Sequence, residues 1–158
     1  MNNITINSNS NDIKEMEKLF PRAPLKIIAM EGCKELGQKV NDYIVNFRQS
    51  SYREELKSPM YATYLQDNYL VDAHCPRFGS GEAKGVLNES VRGKDLFIMT
   101  DVCNYSLTYS VNGYVNHMSP DDHYQDLKRL ISAANGKEHR LNIIMPFLYE
   151  SRQHKRTK

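Results

Sequence analysis

Apolar positions along the chain fall into two patterns, short dense runs and longer stretches spaced at the helical period. Residues 25–30, 96–99 and 141–147 are the dense runs, and such runs bounded by turn residues predict strands covered on both faces. After the first run, Gly32 punctuates the exit into a segment where Leu36, Val40, Tyr43, Ile44 and Phe47 recur at the 3.6-residue period of a helix. Residues 68–74 alternate instead, with Tyr69, Val71 and Ala73 on one side, as in a half-buried strand. Residues 83–87 form a further short strand candidate. Ser119-Pro120-Asp121-Asp122 reads as a helix start: Ser as the N-cap, Pro at the first helical position, acids facing the positive end of the dipole. This helix runs through Tyr124, Leu127, Leu130 and Ile131 to a stop at Gly136. Pro146 suits the exit of the last strand.

Strands alternating with helices predict an α/β domain with a largely parallel sheet. Residues 1–11 are Asn/Ser-rich and are expected to be disordered, residues 12–20 to form a short helix ended by Pro21, and residues 52–56 to form a polar helical stretch. The polar segment 103–118, with Tyr105, Tyr109 and Tyr114, is too long for a plain connection and predicts either an ordered surface loop or part of a lid.

Composition narrows the classes. With 158 residues, 40% hydrophobic and 25% charged, the chain has the make-up of about one globular domain. Its apolar runs are far short of the roughly 20 residues of a membrane span, and the N-terminus lacks the features of a secretory signal, so a cytosolic protein is expected, without membrane contact. The three cysteines, Cys33, Cys75 and Cys103, are odd in number and form no Cys-x-x-Cys pair, which predicts reduced thiols rather than a disulfide framework or a zinc site. The formal charge of +2 hides an asymmetry, because residues 151–158 carry four Lys/Arg and no acid. One short basic run on an otherwise mildly acidic domain reads as a solvated terminus, not a nucleic-acid site.

Motifs that announce chemistry are missing: no G-x-x-x-x-G-K-S/T, G-x-G-x-x-G, G-x-S-x-G or H-E-x-x-H occurs. His117 and His123 straddle a helix start and read as surface or partly packed side chains, and Asp121 and Asp122 already have a structural reason at the helix dipole. Three clusters carry more. Ser90-Val-Arg92-Gly-Lys94 places a hydroxyl and a guanidinium on a tight turn, which suits either an anion site or an ordinary strand connection. Arg77-Phe78-Gly-Ser80-Gly-Glu82 puts an aromatic face and a carboxylate on a glycine turn, either a place for a planar base or a hairpin with a packed Phe. Arg152-Gln153 follows the last strand, where open α/β sheets bind ligands.

Taken in order, Arg77-Phe78, Gly81-Glu82, the stretch 89–98, Leu127-Lys-Arg129, Ile143-Ile-Met-Pro-Phe147 and Arg152-Gln153 resemble the N-terminal half of the ribose-phosphate pyrophosphokinases, the phosphoribosyl pyrophosphate synthetases. The resemblance implies a phosphoribosyltransferase-type (type I) α/β domain over residues 25–158 after an extended or disordered segment 1–24, with the family's second domain absent. It implies transfer of the β,γ-pyrophosphoryl group of ATP to the 1-hydroxyl of ribose 5-phosphate with Mg²⁺, in homo-oligomers built from dimers. By position, Phe78 and Glu82 match adenine-side residues supplied across a subunit interface, Arg152 and Gln153 match the pair that holds ATP, and Ser90 and Arg92 match a loop that binds regulatory phosphate or ADP. Ser80 and His154 stand where the family has other residues. The family's metal-binding histidine motif, catalytic Lys/Arg loop and acidic ribose-phosphate loop are not matched, so these residues alone are expected to be inactive, with no catalytic residue or metal ligand assigned among them. A non-catalytic, nucleotide-binding regulatory homologue is the alternative.

Overall fold

The computed structural model describes residues 22–50, 63–153 and 155–156; the expected disorder of 1–11, the helices at 12–20 and 52–56, and His154 lie outside the described residues. The dense apolar runs become a three-stranded parallel sheet of β1 (Leu25–Ala29), β4 (Asp95–Met99) and β7 (Arg140–Ile144), in the order β1-β4-β7. Between β1 and β4 in sequence, β2 (Ala73–His74) and β3 (Val86–Leu87) pair antiparallel as a separate ribbon.

Among the described residues two helices cover the sheet: α1 (Lys34–Ser50), entered through a single turn of 3₁₀-helix at Glu31–Cys33, and α2 (Pro120–Ala134). Alternate strand residues divide between them. Ile27, Met99 and Phe97 face α1 through Val40, Ile44 and Val45, while Ile28, Leu96 and Ile98 face α2 through Leu127, Leu130 and Ala134. This two-sided burial explains why β1 and β4 read as dense apolar runs. β7 borders the described sheet, and Ile143 and Ile144 are partly exposed rather than core as their apolar character predicts.

The phase of α1 differs from the expected face. Leu36, Tyr43 and Phe47 point outward, Tyr43 being 71% exposed, and the packed side runs through Gly37, Val40, Asn41, Ile44 and Val45. Close approach decides this: a Cβ on Gly37 would lie 2.3 Å from that of Ala29, so only glycine lets the helix sit on β1. Asn41, buried, accepts the Tyr69 N–H at 2.8 Å, an ordering role for a polar residue that periodicity assigns to solvent. The segment around Tyr69 is likewise less regular than alternation predicts. It joins β1 by one parallel bridge, Ile27 to Leu70, so Tyr69 enters the α1 side while Val71 and Ala73 pack on the α2 side.

Helix α2 starts as expected. Ser119 accepts the Asp122 N–H, and the Asp122 carboxylate accepts the Ser119 N–H at 2.9 Å, a reciprocal capping box. Asn135 ends it in the left-handed conformation, with a φ of 59°. The long polar segment contains a hairpin, β5 (Thr108–Val111) and β6 (Tyr114–His117), closed by Asn112-Gly113 with φ values of 51° and 83°. Both turn residues being left-handed is the reason for an Asn-Gly pair there. No described helix is long and apolar enough to cross a membrane.

Candidate functional site

The β1 crossover leads through α1 to Leu70 on one flank, and the β4 crossover leads through α2 to β7 on the other. The crevice beyond the carboxyl ends of β1 and β4 is therefore a topological switch point, the usual place for a ligand in an open α/β sheet. A cavity of about 220 Å³ lies there, between Gly32, Thr100, Asp101, Cys75, Arg77 and Asp126.

Arg77 does not reach for a ligand. It turns inward and donates to Asp126 Oδ2 at 2.8 Å, while Arg129, one turn along α2, donates to Asp126 Oδ1 at 2.6 Å. All three side chains are largely buried. Burial pushes the Asp126 carboxyl above its ordinary range even though both guanidiniums pull it down. The Cys75 thiol beside it is pushed up to about 11 by burial and by the Asp126 charge. Tyr109 of β5 covers the Arg77 guanidinium at 4.6 Å from its ring centre.

Beyond Arg77 the chain folds into a tight turn. The Phe78 N–H donates to the Glu82 carbonyl at 2.7 Å, Gly81 takes a φ of 89°, and the Ser80 hydroxyl donates to Glu82 Oε2 at 2.9 Å. Arg77 and Ala83 form an antiparallel bridge at its base. The hairpin expectation holds, but its packed Phe does not: Phe78 is 50% exposed, because the turn carries it off the body of the domain. A Cβ on Gly81 would be 3.7 Å from Val111 Cγ2, so β5 backs the turn.

Ser90 and Arg92 are exposed on the loop before β4, where Ser90 Oγ accepts the Arg92 N–H at 3.3 Å. They border a cavity of about 380 Å³ with Asn88, Glu89 and Lys137. Gly93, with a φ of 66°, donates its N–H to the Lys137 carbonyl at 2.8 Å, which ties the loop to the end of α2. Glu89 is engaged by Lys26 at 3.1 Å, leaving Arg92 and Lys137 as the charges of opposite sign to a phosphate.

Arg152 and Gln153 lie past the carboxyl end of β7 and border a cavity of about 420 Å³ with Cys103, Tyr105, Asp121, Phe147 and Tyr149. Glu150 takes a left-handed φ of 55° and its carbonyl accepts the Gln153 N–H at 2.9 Å, which turns the Arg-Gln pair back toward α2. The Tyr149 ring stacks on Tyr124 at 4.1 Å, and its hydroxyl donates to Asp121 at 2.5 Å; this bond holds the Tyr149 proton and raises its pKa to about 12. The Arg152 cavity and the Phe78–Glu82 turn share no lining residue.

Residues 25–158 match the family described as the N-terminal domain of ribose phosphate pyrophosphokinase. The chain belongs to this family. A stretch of 82 residues is 32% identical to ribose-phosphate pyrophosphokinase B of Dictyostelium discoideum, covering 52% of this chain and 21% of that protein. The chain thus spans only a fraction of the relative's length. The α/β fold over the matched residues agrees with the phosphoribosyltransferase-type domain that the sequence resembles.

Two features of the domain lie beyond the sequence-based expectations. Asp126 joins Arg77 across 49 positions, which no local pattern reveals; only its i,i+3 spacing from Arg129 could have been seen. The hairpin β5–β6 could have been read from Asn112-Gly113 flanked by strand-forming residues. His123, expected at the surface or partly packed, is buried and donates from Nε2 to the Asn104 carbonyl at 2.7 Å, while His117 is exposed and donates from Nδ1 to the Tyr105 carbonyl at 2.9 Å. The cysteines are unpaired thiols, Cys33 buried and Cys103 exposed.

Proposed function

We propose that this chain is the ATP-facing N-terminal domain of a ribose-phosphate pyrophosphokinase, in which residues 25–158 form one domain preceded by the segment 1–24. The observation that carries this reading is the position of Arg152-Gln153 beside a cavity at the carboxyl edge of a family-matched parallel sheet. A guanidinium there can fork onto phosphate oxygens, and the Gln153 amide offers donors at its side. Phosphoryl transfer is mainly positioning and charge neutralisation, so holding the nucleotide's phosphates in place is a substantial share of the work.

Phe78 and Glu82 fit the other half of the recognition. The half-exposed ring and the carboxylate project together from one turn and lie outside the Arg152 cavity, which suits delivery to the adenine site of a neighbouring subunit in a homo-oligomer. Among the described residues no three His, Cys, Asp or Glu side chains converge as a metal site. As the resemblance implies, Mg²⁺ is proposed to arrive with ATP, and no ligand for it is assigned among residues 25–158. Ribose 5-phosphate is the proposed acceptor and the cytosol the proposed compartment.

The reading is tested by titrating the full chain with ATP and following saturation-transfer NMR signals. Arg152→Ala is expected to weaken ATP binding by roughly 10- to 100-fold, the value of a lost charge-assisted hydrogen-bond pair. Equal affinity in the variant would remove ATP from this cavity.

Ser90 and Arg92 are proposed as the regulatory anion site. Inorganic phosphate should then raise the melting temperature of the chain with increasing concentration, as a ligand selective for the native state does by mass action. Arg92→Ala, at an exposed position, should abolish the rise. A rise of the same size in the variant would place the phosphate elsewhere.

A further inference from the structure

The cavity beside Arg152 takes aromatic lining from two places, Phe147 and Tyr149 past the end of β7 and Tyr105 from the long polar segment. Tyr105 borders it and is 58% exposed, yet the backbone around it is fastened on both sides. The buried His123 donates to the Asn104 carbonyl at 2.7 Å, and His117 donates to the Tyr105 carbonyl at 2.9 Å. Asn104 Oδ1 in turn accepts the Ser106 N–H at 3.0 Å and its hydroxyl at 2.6 Å. Four bonds thus fix the backbone that carries a ring more than half exposed at the cavity. A backbone fixed in this way presents the flat face of the ring to whatever enters the cavity.

The rest of the cavity says what can dock. Tyr149 is committed on one face to Tyr124 and at its hydroxyl to Asp121, which fixes it as floor. Of the charged residues lining the cavity, Arg152 is the cation while Asp121 and Glu150 are acids. A nucleotide's phosphates therefore belong at Arg152, away from Asp121, which leaves the base for the aromatic side.

We propose that Tyr105 is an additional nucleotide-binding residue, stacking on the base of the ATP whose phosphates Arg152 holds. This rests on the reading of the cavity as an ATP site. Stacking needs a flat face and not a hydroxyl, so Tyr105→Phe should keep it and Tyr105→Ala should lose it. At more than half exposure neither change threatens folding.

The experiment compares ATP with inorganic tripolyphosphate, which carries the same phosphate chain without a base, on the full chain by isothermal titration. Tyr105→Ala is expected to weaken ATP by roughly 5- to 100-fold, the range of base–aromatic stacking, and to leave tripolyphosphate unchanged. Arg152→Ala should weaken both. If Tyr105→Ala leaves ATP binding intact while Arg152→Ala weakens it, the stack is wrong and the ATP site stands. Equal weakening of both ligands by Tyr105→Ala would show that the ring shapes the cavity and does not stack, which also overturns the proposal. Failure of the unaltered chain to bind either ligand would overturn the site and the stack together.

Discussion

AMP release from ATP, Mg²⁺ and ribose 5-phosphate is expected to be undetectable with this chain alone and restored in a longer chain that carries the family's second domain. Pyrophosphoryl transfer needs the nucleotide and the acceptor hydroxyl held in one geometry, and that orientation is worth about 7–11 kcal/mol in well-aligned systems, a factor of about 10⁵ or more in rate. The described residues offer the proposed nucleotide cavity at Arg152, and the resemblance leaves the grip on ribose 5-phosphate to the other half of the family sequence. A further share of the barrier comes from cations placed on the transferring group. Among the described residues Arg152 is the cation that lines the proposed ATP cavity. A coupled assay on both chains checks this. Turnover by the short chain would contradict the division of labour, and a silent longer chain would favour a nucleotide-binding regulator over an enzyme.

The largest effect on stability is expected from Asp126→Ala. Removing the carboxylate leaves the guanidiniums of Arg77 and Arg129 facing each other with little solvent around them. Breaking a buried charge pair from one side costs about 3–5 kcal/mol, which in a chain of this size lowers the melting temperature by about 6–20 °C. Burial raises the Asp126 pKa despite two neighbouring cations, so the ionised carboxylate does not recover its full desolvation cost. Replacing all three partners with apolar residues of similar volume, Arg77→Met, Asp126→Leu and Arg129→Met, should consequently restore most of the lost stability. The triple variant has a second consequence. Arg77 anchors the turn of Phe78 and Glu82 to α2 and carries Tyr109 of the β5–β6 hairpin on its outer face. A stable triple variant with a disordered turn, seen as loss of amide protection at Gly81, would separate the positioning role of the triad from its energetic one. Unfolding of the triple variant as severe as that of Asp126→Ala would refute the charge-burial account.

Much of the fold was legible because its signals are local. The runs at β1 and β4 must be apolar on both faces of a parallel sheet, and Ser119, Pro120 and Asp122 must sit where α2 needs its cap, so each pattern could be read without knowing what it packs against. The order of Arg77-Phe78, Glu82, Ser90, Arg92 and Arg152-Gln153 was enough for the family, since spacing along the chain survives where overall identity does not. Other features belong to tertiary structure. The α1 face turned on the fit of Gly37 against Ala29, a distance and not a period. Tyr69 and Val71 parted to opposite sides because a single bridge does not enforce strand alternation. Arg77 belongs by sequence to a turn whose candidate contacts are Phe78 and Glu82, and folding makes it the anchor of that turn, while Tyr105 acquires a neighbour in Arg152 only through folding. Sequence by itself determined the elements and the family, because these depend on interactions within a few residues or on order along the chain. Tertiary structure alone decided which side chains share a cavity and which cations are neutralised, because burial and charge pairing are properties of proximity in space.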